Sequence, residues 1–180
     1  TFTVVVVGCA EITHDKEFVS VVQTGLKTYD VTYEIVVENI GTGDGVYTLL
    51  DSLAFDPDVV VNTVNYSTDA PGNPGNPGPV APVLDGANRY ELAIDQSIND
   101  VDPHTFTVVV GVTLDLDSPP AGGNGEYDPC AESAPDDYIP ENGLYNLSIL
   151  DTPNEINDER DEACGDLPII KHTKSGPVIT

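Results

Sequence analysis

Residues 29–55 read YDVTYEIVVENIGTGDGVYTLLDSLAF, and the first half of this segment alternates along the chain. One side of an extended strand would carry Tyr29, Val31, Tyr33, Ile35 and Val37. A period of two in β-branched and aromatic residues is typical of a half-buried strand. Three glycines and an aspartate at 41–45 can supply positive φ for a turn, after which VYTLL resumes an extended chain. We therefore expect two antiparallel strands joined by a glycine-rich connection.

The composition favours a single β-rich domain with an acidic surface. The chain has 180 residues, of which 39% are hydrophobic, and no window of helical period is longer than about two turns. The net charge of −25 argues against nucleic acid and against anionic membrane surfaces, because both require Lys and Arg. No apolar run has transmembrane length, so we expect no membrane insertion within this segment.

The remainder of the chain continues the β pattern. About eight or nine short apolar segments are separated by turns rich in Gly, Pro, Asn and Asp, a spacing typical of a sandwich. The polar segment at 9–16 is predicted to be a link ahead of a strand at 18–22. Residues 117–141 and 151–166 are predicted to be long acidic loops.

The two ends of the chain echo each other. CAEI at 9–12 resembles CGDL at 164–167, and HDK at 14–16 resembles HTK at 172–174. One interpretation is a tandem array with a unit of about 158 residues, and the other is coincidence over a few positions.

Several motifs together resemble a known repeat. VENIG and YTLLDSL at 37–53 resemble the family pattern Val-Glu-Asn-X-Gly, then Tyr-Thr-Leu-X-Asp-X-Leu. HTFTVVV at 104–110 resembles its late strand, and GLYNLS at 143–148 with ACGDLP at 163–168 resembles its close. Over residues 14–180 the chain is thus similar to the repeat of large bacterial and archaeal surface proteins classified as domain of unknown function number eleven. The resemblance implies an immunoglobulin-like sandwich in adhesins, stalks or filaments.

We therefore predict an all-β, immunoglobulin-like β-sandwich with long acidic loops and an extra N-terminal strand. Residues 1–13 would form that strand and its linker, 14–167 the sandwich, and 168–180 a C-terminal strand or the start of a next repeat. The predicted function is a structural and interaction module of an extracellular surface filament, stalk or adhesin, whose partners are copies of itself or neighbouring repeats. Three cysteines and two Asn-X-Ser sequons, at Asn65 and Asn146, are compatible with an extracellular location.

The alternative function is a soluble extracellular recognition domain that binds a glycan or small ligand through its loops. A concave pocket lined by Tyr66, Tyr90 or Tyr127 would favour it. We expect no catalytic residues, because no nucleophile elbow, phosphate-binding loop or zinc spacing is present.

The extra strand is TFTVVVV, which combines high β-propensity with the absence of charge and proline. Its residues are Thr1, Phe2, Thr3, Val4, Val5, Val6 and Val7. Because an open strand edge is a template for another strand, we expect this segment to complete a sheet in a neighbouring subunit or module. The competing interpretation is an ordinary edge strand of its own domain.

Two stabilising features are predicted in the acidic loops, a disulfide bridge and a calcium site. Cys130 and Cys164 flank the strand at 142–150, and a bridge between them would tie both loops; pairing of Cys9 with Cys130 stays open. The density of hard oxygen ligands suggests Ca²⁺. The candidate ligands are Asp151, Asn154, Glu155, Asn157, Asp158 and Asp161 in one loop and Asp115, Asp117, Glu126 and Asp128 in the other.

The few lysines, Lys171 among them, raise one further hypothesis. Sandwiches of surface proteins sometimes carry a Lys–Asn isopeptide crosslink beside an acid. Such a bond requires a buried Lys next to an Asn and a carboxylate, and the sequence alone places no such trio.

Overall fold

A computed structural model describes residues 8–76, 78–134, 137–153 and 158–168 of the chain. The predicted assembly strand at 1–7 lies outside these residues, as do Lys171, His172 and three of the predicted calcium ligands, Asn154, Glu155 and Asn157. The domain bounds and the tandem repeat therefore stay predictions.

The described residues form eleven β-strands and include no helix that is long and apolar enough to cross a membrane. The strands are β1 (Ile12–Gln23), β2 (Thr28–Asn39), β3 (Gly45–Leu53), β4 (Val59–Thr68), β5 (Val83–Leu84), β6 (Tyr90–Ile98), β7 (His104–Leu114), β8 (Glu132–Ala134), β9 (Asp137–Tyr138), β10 (Asn146–Asp151) and β11 (Glu159–Ala163). The order β1-β2-β7-β4 makes one sheet, β11-β10-β3-β6-β5 the second, and β8-β9 a small hairpin. All strand pairs are antiparallel, which confirms the predicted all-β sandwich.

The sheet orders identify the sandwich as immunoglobulin-like, with one rearrangement. The order β1-β2-β7-β4 corresponds to strands A-B-E-D of an immunoglobulin domain, and β11-β10-β3-β6 corresponds to G-F-C-C′. In the immunoglobulin order the C′ position precedes the D position. Here β4 precedes β6, so the chain fills these two positions in the opposite order.

The core lies between the inward faces of the central strands. Alternate residues of β2 and β7 are buried, which confirms the alternation predicted at 29–37. Tyr33 and Phe106 are fully buried from one sheet, and Tyr47 and Leu49 of β3 are fully buried from the other. Burying an apolar side chain of this size stabilises the fold by about 1.5–3 kcal/mol.

The predicted hairpin between β2 and β3 is wrong, because these strands belong to different sheets. The glycine-rich segment between them crosses from one sheet to the other, and none of its glycines has positive φ. Its glycines instead permit a close approach by the segment ahead of β1. A Cβ on Gly41 would lie 2.3 Å from the carbonyl oxygen of Cys9, and one on Gly43 would lie 2.5 Å from that of Gly8.

One strand and the first part of another lie where the sequence predicted polar segments, while the strand predicted at 18–22 is confirmed as the second part of β1. Much of the segment at 9–16 belongs to β1, in which His14 and Lys16 point inward and are buried. Part of the second acidic loop forms β11, which pairs with β10. Both segments lack an apolar alternation because their inward positions hold polar groups that bind one another across the sandwich.

Two buried carboxylates anchor the first acidic loop. Asp58 accepts hydrogen bonds from the backbone N–H groups of Asn124 and Gly125, and Asp56 accepts one from that of Asp128. Burial raises the pKa of Asp56, while hydrogen bonds from the backbone N–H groups of Asp128 and Asp58 oppose the shift. The loop is therefore fastened to the turn before β4 by charge-assisted hydrogen bonds.

The structure contains the Cys130–Cys164 disulfide, and Cys9 is a free, exposed thiol. The bridge joins the first acidic loop to the segment after β11. Asp166 reinforces this junction, since its carboxylate accepts hydrogen bonds from the Cys130 backbone and the Tyr127 hydroxyl.

Replacing both bridged cysteines, Cys130→Ser with Cys164→Ser, should lower the free energy of unfolding by about 3–4 kcal/mol. The reason is that a bridge across 34 residues restricts the unfolded chain. Urea denaturation of the oxidised protein measures the difference. The control variant Cys9→Ser, which removes the exposed thiol, should unfold like the parent; equal midpoints for all three proteins would contradict a stabilising bridge.

Candidate functional site

The most unusual part of the interior is a polar cluster where β1 crosses the second sheet. In that sheet Ser148 of β10 lies opposite Asp51 of β3 and Asp161 of β11. Asn146 is two residues from Ser148 and shares its face, because side chains alternate along a strand. The three neighbouring strands thus present polar groups toward β1 at a depth where a sandwich normally carries apolar side chains.

Lys16 of β1 meets this polar face with its ammonium group. Nζ of Lys16 contacts Oδ1 of Asp51, and both side chains are fully buried. The other carboxylate oxygen, Oδ2, accepts a hydrogen bond of 3.2 Å from Nδ2 of Asn146, which is also fully buried. One carboxylate therefore bridges the lysine amine and the asparagine amide.

The asparagine of this trio is only half satisfied. Its carbonyl oxygen Oδ1 is buried and has no hydrogen-bond partner among the described residues. An unpaired buried acceptor costs about 1–3 kcal/mol. Asn146 is also the first residue of a sequon, and because its amide lies inside the sandwich it is inaccessible to a glycan.

The surroundings of Lys16 are apolar on one side and anionic on the other. Its Nζ lies 5.5 Å from the ring centroid of Tyr33, whose hydroxyl donates to the Leu144 carbonyl at 2.5 Å. Its backbone N–H donates to Oδ2 of Asp161 at 2.5 Å. Burial lowers the pKa of Lys16 below its ordinary value, although Asp51 and Asp161 act in the opposite direction.

Burying an ion pair at this depth lowers the free energy of unfolding unless its contacts compensate for the lost hydration. Removing each ion from water costs several kcal/mol, and a well-packed apolar pair is often as stable or more stable. The burial of Lys16, Asp51 and Asn146 in one place is therefore difficult to explain by stability alone.

His14 lies beside the trio on the same face of β1. Its Nε2 is 2.9 Å from Oγ of Ser148, and its Nδ1 is 3.8 Å from a carboxylate oxygen of Glu159. Burial lowers the pKa of His14 below the usual 6.5, and the Lys16 charge adds to the shift, while Asp161 opposes it. His104 is elsewhere, with Nδ1 2.9 Å from the Tyr47 hydroxyl.

The predicted calcium ligands do not converge in the described part of the chain, where no group of three or more His, Cys, Asp or Glu side chains is arranged to hold a metal ion. Asp161 binds the Lys16 backbone instead, and Asp117 pairs with Lys27 at 2.5 Å, a hydrogen bond that lowers the pKa of Asp117. Asp115 accepts the Ser118 N–H. The remaining described candidates are Glu126, Asp128, Asp151 and Asp158, and calcium binding stays a prediction.

Sequence reasoning missed this trio, although one signal was present. Asp51 directly follows the apolar pair at 49–50, Asn146 alternates with Ser148 along its strand, and Lys16 follows His14 at a spacing of two. Inward polar positions on three strands indicate a buried polar site. The order of the strands in space, which sequence does not supply, was needed to bring them together.

Acid should destabilise the protein partly through His14. The unfolded chain binds a proton at this residue near pH 6.5, whereas the folded chain, with its lowered pKa, binds it only at lower pH. Stability is therefore lost as the pH falls through about 6.5, until the folded pKa is passed.

The variant His14→Gln should lose part of this dependence, since glutamine keeps a polar group near Ser148 without titrating. Urea midpoints at about pH 7.5 and about pH 5.5 measure it. A residual dependence is expected from His104, whose pKa burial also lowers. An identical loss of stability on acidification in variant and parent would contradict the assignment to His14.

The chain matches no protein-family model and no curated protein. Among solved structures it is similar to the crystal structure of BcpA, the major pilin subunit of Bacillus cereus, with a TM-score of 0.39 and 12% sequence identity over 85% of this chain. The chain spans 38% of the length of that pilin chain. Similarity at this level carries no functional conclusion.

Proposed function

We propose that the sandwich is a structural and interaction module of an extracellular surface filament, stalk or adhesin, of the repeat type that its motifs resemble. The observation that carries the proposal is the fastening of the outer strands. β1 is held to the second sheet by the buried contact of Lys16 with Asp51, and the segment after β11 is held by the Cys130–Cys164 bridge. A pull on such a module would load β1, held by a buried ion pair, and the segment after β11, held by the disulfide.

The chemistry of the cysteines supports an extracellular location. Disulfides persist in oxidising environments and are rare in the cytosol. The charge of −25 suits a surface that stays soluble outside the cell. A structural module needs no active site, and this role accounts for the interior polar cluster as a fastening rather than as a substrate site.

The alternative of a glycan-binding or small-ligand-binding domain has no specific observation in its favour. Tyr66 is buried, donates to Asn73 at 2.9 Å and stacks on Phe106. The Tyr127 hydroxyl is engaged by Asp166. The groove beside Tyr66 has neither Tyr90 nor Tyr127 among its lining residues.

Immunogold electron microscopy tests the surface role. Antibodies raised against the recombinant chain should label filaments or the outer surface of intact cells that produce the protein, because a structural surface module must be exported. Cells from which the gene has been deleted are the control. Label confined to the cell interior would refute the proposal.

Self-association through the first strand is tested separately. The full chain should form higher assemblies in analytical ultracentrifugation and electron microscopy, whereas a chain lacking residues 1–8 should remain a folded monomer. The variant Val5→Pro is the matched control for length, since proline removes a backbone donor from the strand. Assembly by the truncated chain, or loss of its fold, would assign the segment to its own domain.

A further inference from the structure

The buried trio has the composition and the contacts of a condensation site. A primary amine from Lys16 and a carboxamide from Asn146 are held on the two oxygens of one carboxylate, that of Asp51. Because these two oxygens belong to one carboxyl group, the amine and the amide are close neighbours. An amine next to an amide in a site without water is arranged for acyl transfer.

We propose that Lys16 and Asn146 are joined by an intramolecular isopeptide bond, which the folded chain forms by itself with Asp51 as the proton carrier. The inference rests on the geometry of the trio and not on the proposed surface role. It assigns a covalent modification to residues for which sequence analysis predicted no chemistry.

The reaction balances without a cofactor or a redox partner. The Lys16 ammonium gives a proton to the Asp51 carboxylate, and the free amine attacks Cγ of Asn146. The new Nζ–Cγ bond forms, the carbonyl electrons move to Oδ1 and return, and the Cγ–Nδ2 bond breaks. The departing nitrogen takes the proton held by Asp51, and Asp51 recovers one of the two amine protons, so that neutral ammonia leaves, Asp51 ends as a neutral carboxylic acid, and one amide replaces another.

The contacts of the two Asp51 oxygens indicate which atom takes part in each proton transfer. Oδ1 of Asp51 faces the nucleophile and Oδ2 faces the leaving nitrogen, so one carboxyl group can accept the first proton and deliver it to the second site. An ionised carboxylate is a poor electrophile, whereas the amide carbon of Asn146 carries no charge. The structure therefore favours Asn146 over Asp51 as the acyl donor.

The environment favours the reactive forms. Full burial lowers the pKa of Lys16 and hence increases its neutral, nucleophilic fraction. The side chains of the trio are fully buried, which limits the access of water and hence hydrolysis of the amide. The Oδ1 atom of Asn146, unpaired among the described residues, is free to take the developing negative charge.

The product would relieve the energetic conflict at this site. A neutral secondary amide replaces the buried ammonium of Lys16 and the primary amide of Asn146, and Asp51 ends as a neutral acid, so the cost of burying two opposite charges disappears. The bond would also connect β1 of one sheet to β10 of the other and interlace with the disulfide, because Cys130 lies between the two joined residues in sequence and Cys164 lies beyond them.

Intact-mass spectrometry of the purified full chain, denatured and with the disulfide reduced, tests the proposal. The expected mass is about 17 Da below that of the sequence, the loss of one ammonia. Tandem spectra of a proteolytic digest should show a branched peptide that contains Lys16 and Asn146. A chain with the full sequence mass overturns the proposal without any variant being made.

Substitutions of the three residues identify the side chains that form the bond. Lys16→Arg, Asn146→Ala and Asp51→Ala should each restore the full sequence mass, and circular dichroism establishes whether each is folded. Matched controls are Lys27→Arg, at an exposed lysine, and Asn62→Ala, at an exposed asparagine; both should keep the loss. Retention of the loss in a folded Lys16→Arg or Asn146→Ala protein overturns the assignment.

The same spectra distinguish Asp51 from Asn146 as the acyl donor that is joined to Lys16. A loss of about 18 Da, with Lys16 linked to Asp51, would mean condensation with release of water and would overturn Asn146 as the acyl donor. The result is independent of immunogold labelling, so either proposal can fail while the other stands.

Discussion

The contact of Lys16 with Asp51 constrains the rest of this sandwich. A charged amine at full burial needs an anion, and that anion needs further donors, so three strands of the opposite sheet carry polar residues at inward positions. Asn146 binds the second oxygen of Asp51, and Asp161 binds the backbone of Lys16. The edge strand β1 is consequently fixed in register and position against the second sheet rather than only paired with β2.

The two links that hold the module together lie in different parts of the fold. The Cys130–Cys164 bridge joins surface loops, whereas the trio of Lys16, Asp51 and Asn146 joins the sheets through the core. The disulfide encloses 130–164 and the proposed isopeptide bond encloses 16–146, so the two enclosed segments overlap in sequence. Neither outer strand can then be pulled away without breaking a bond, which is a mechanical property that suits a filament or stalk.

The acidic character of the chain has more than one physical basis. Asp56 and Asp58 are buried and serve as acceptors for backbone amides of the first acidic loop, while Asp85 and Asp117 pair with Arg89 and Lys27. Apart from Asp51 and Asp161, most of the other acids in the described part of the chain are exposed to solvent. A net charge of −25 is therefore compatible with a fixed backbone at 124–128, because the acids of the turn before β4 accept three of its N–H groups.

The sequence by itself determined the strands with an apolar period of two, since β2 and β7 alternate as their residues require. It did not determine which sheet each strand joins, because the same alternation fits either partner, and β2 and β3 were wrongly paired. It also hid β11 and the first part of β1, whose inward residues are mostly polar and lack the apolar signature. Only the tertiary structure brought Lys16, Asp51 and Asn146 together, because their proximity depends on the packing of strands that are distant in sequence.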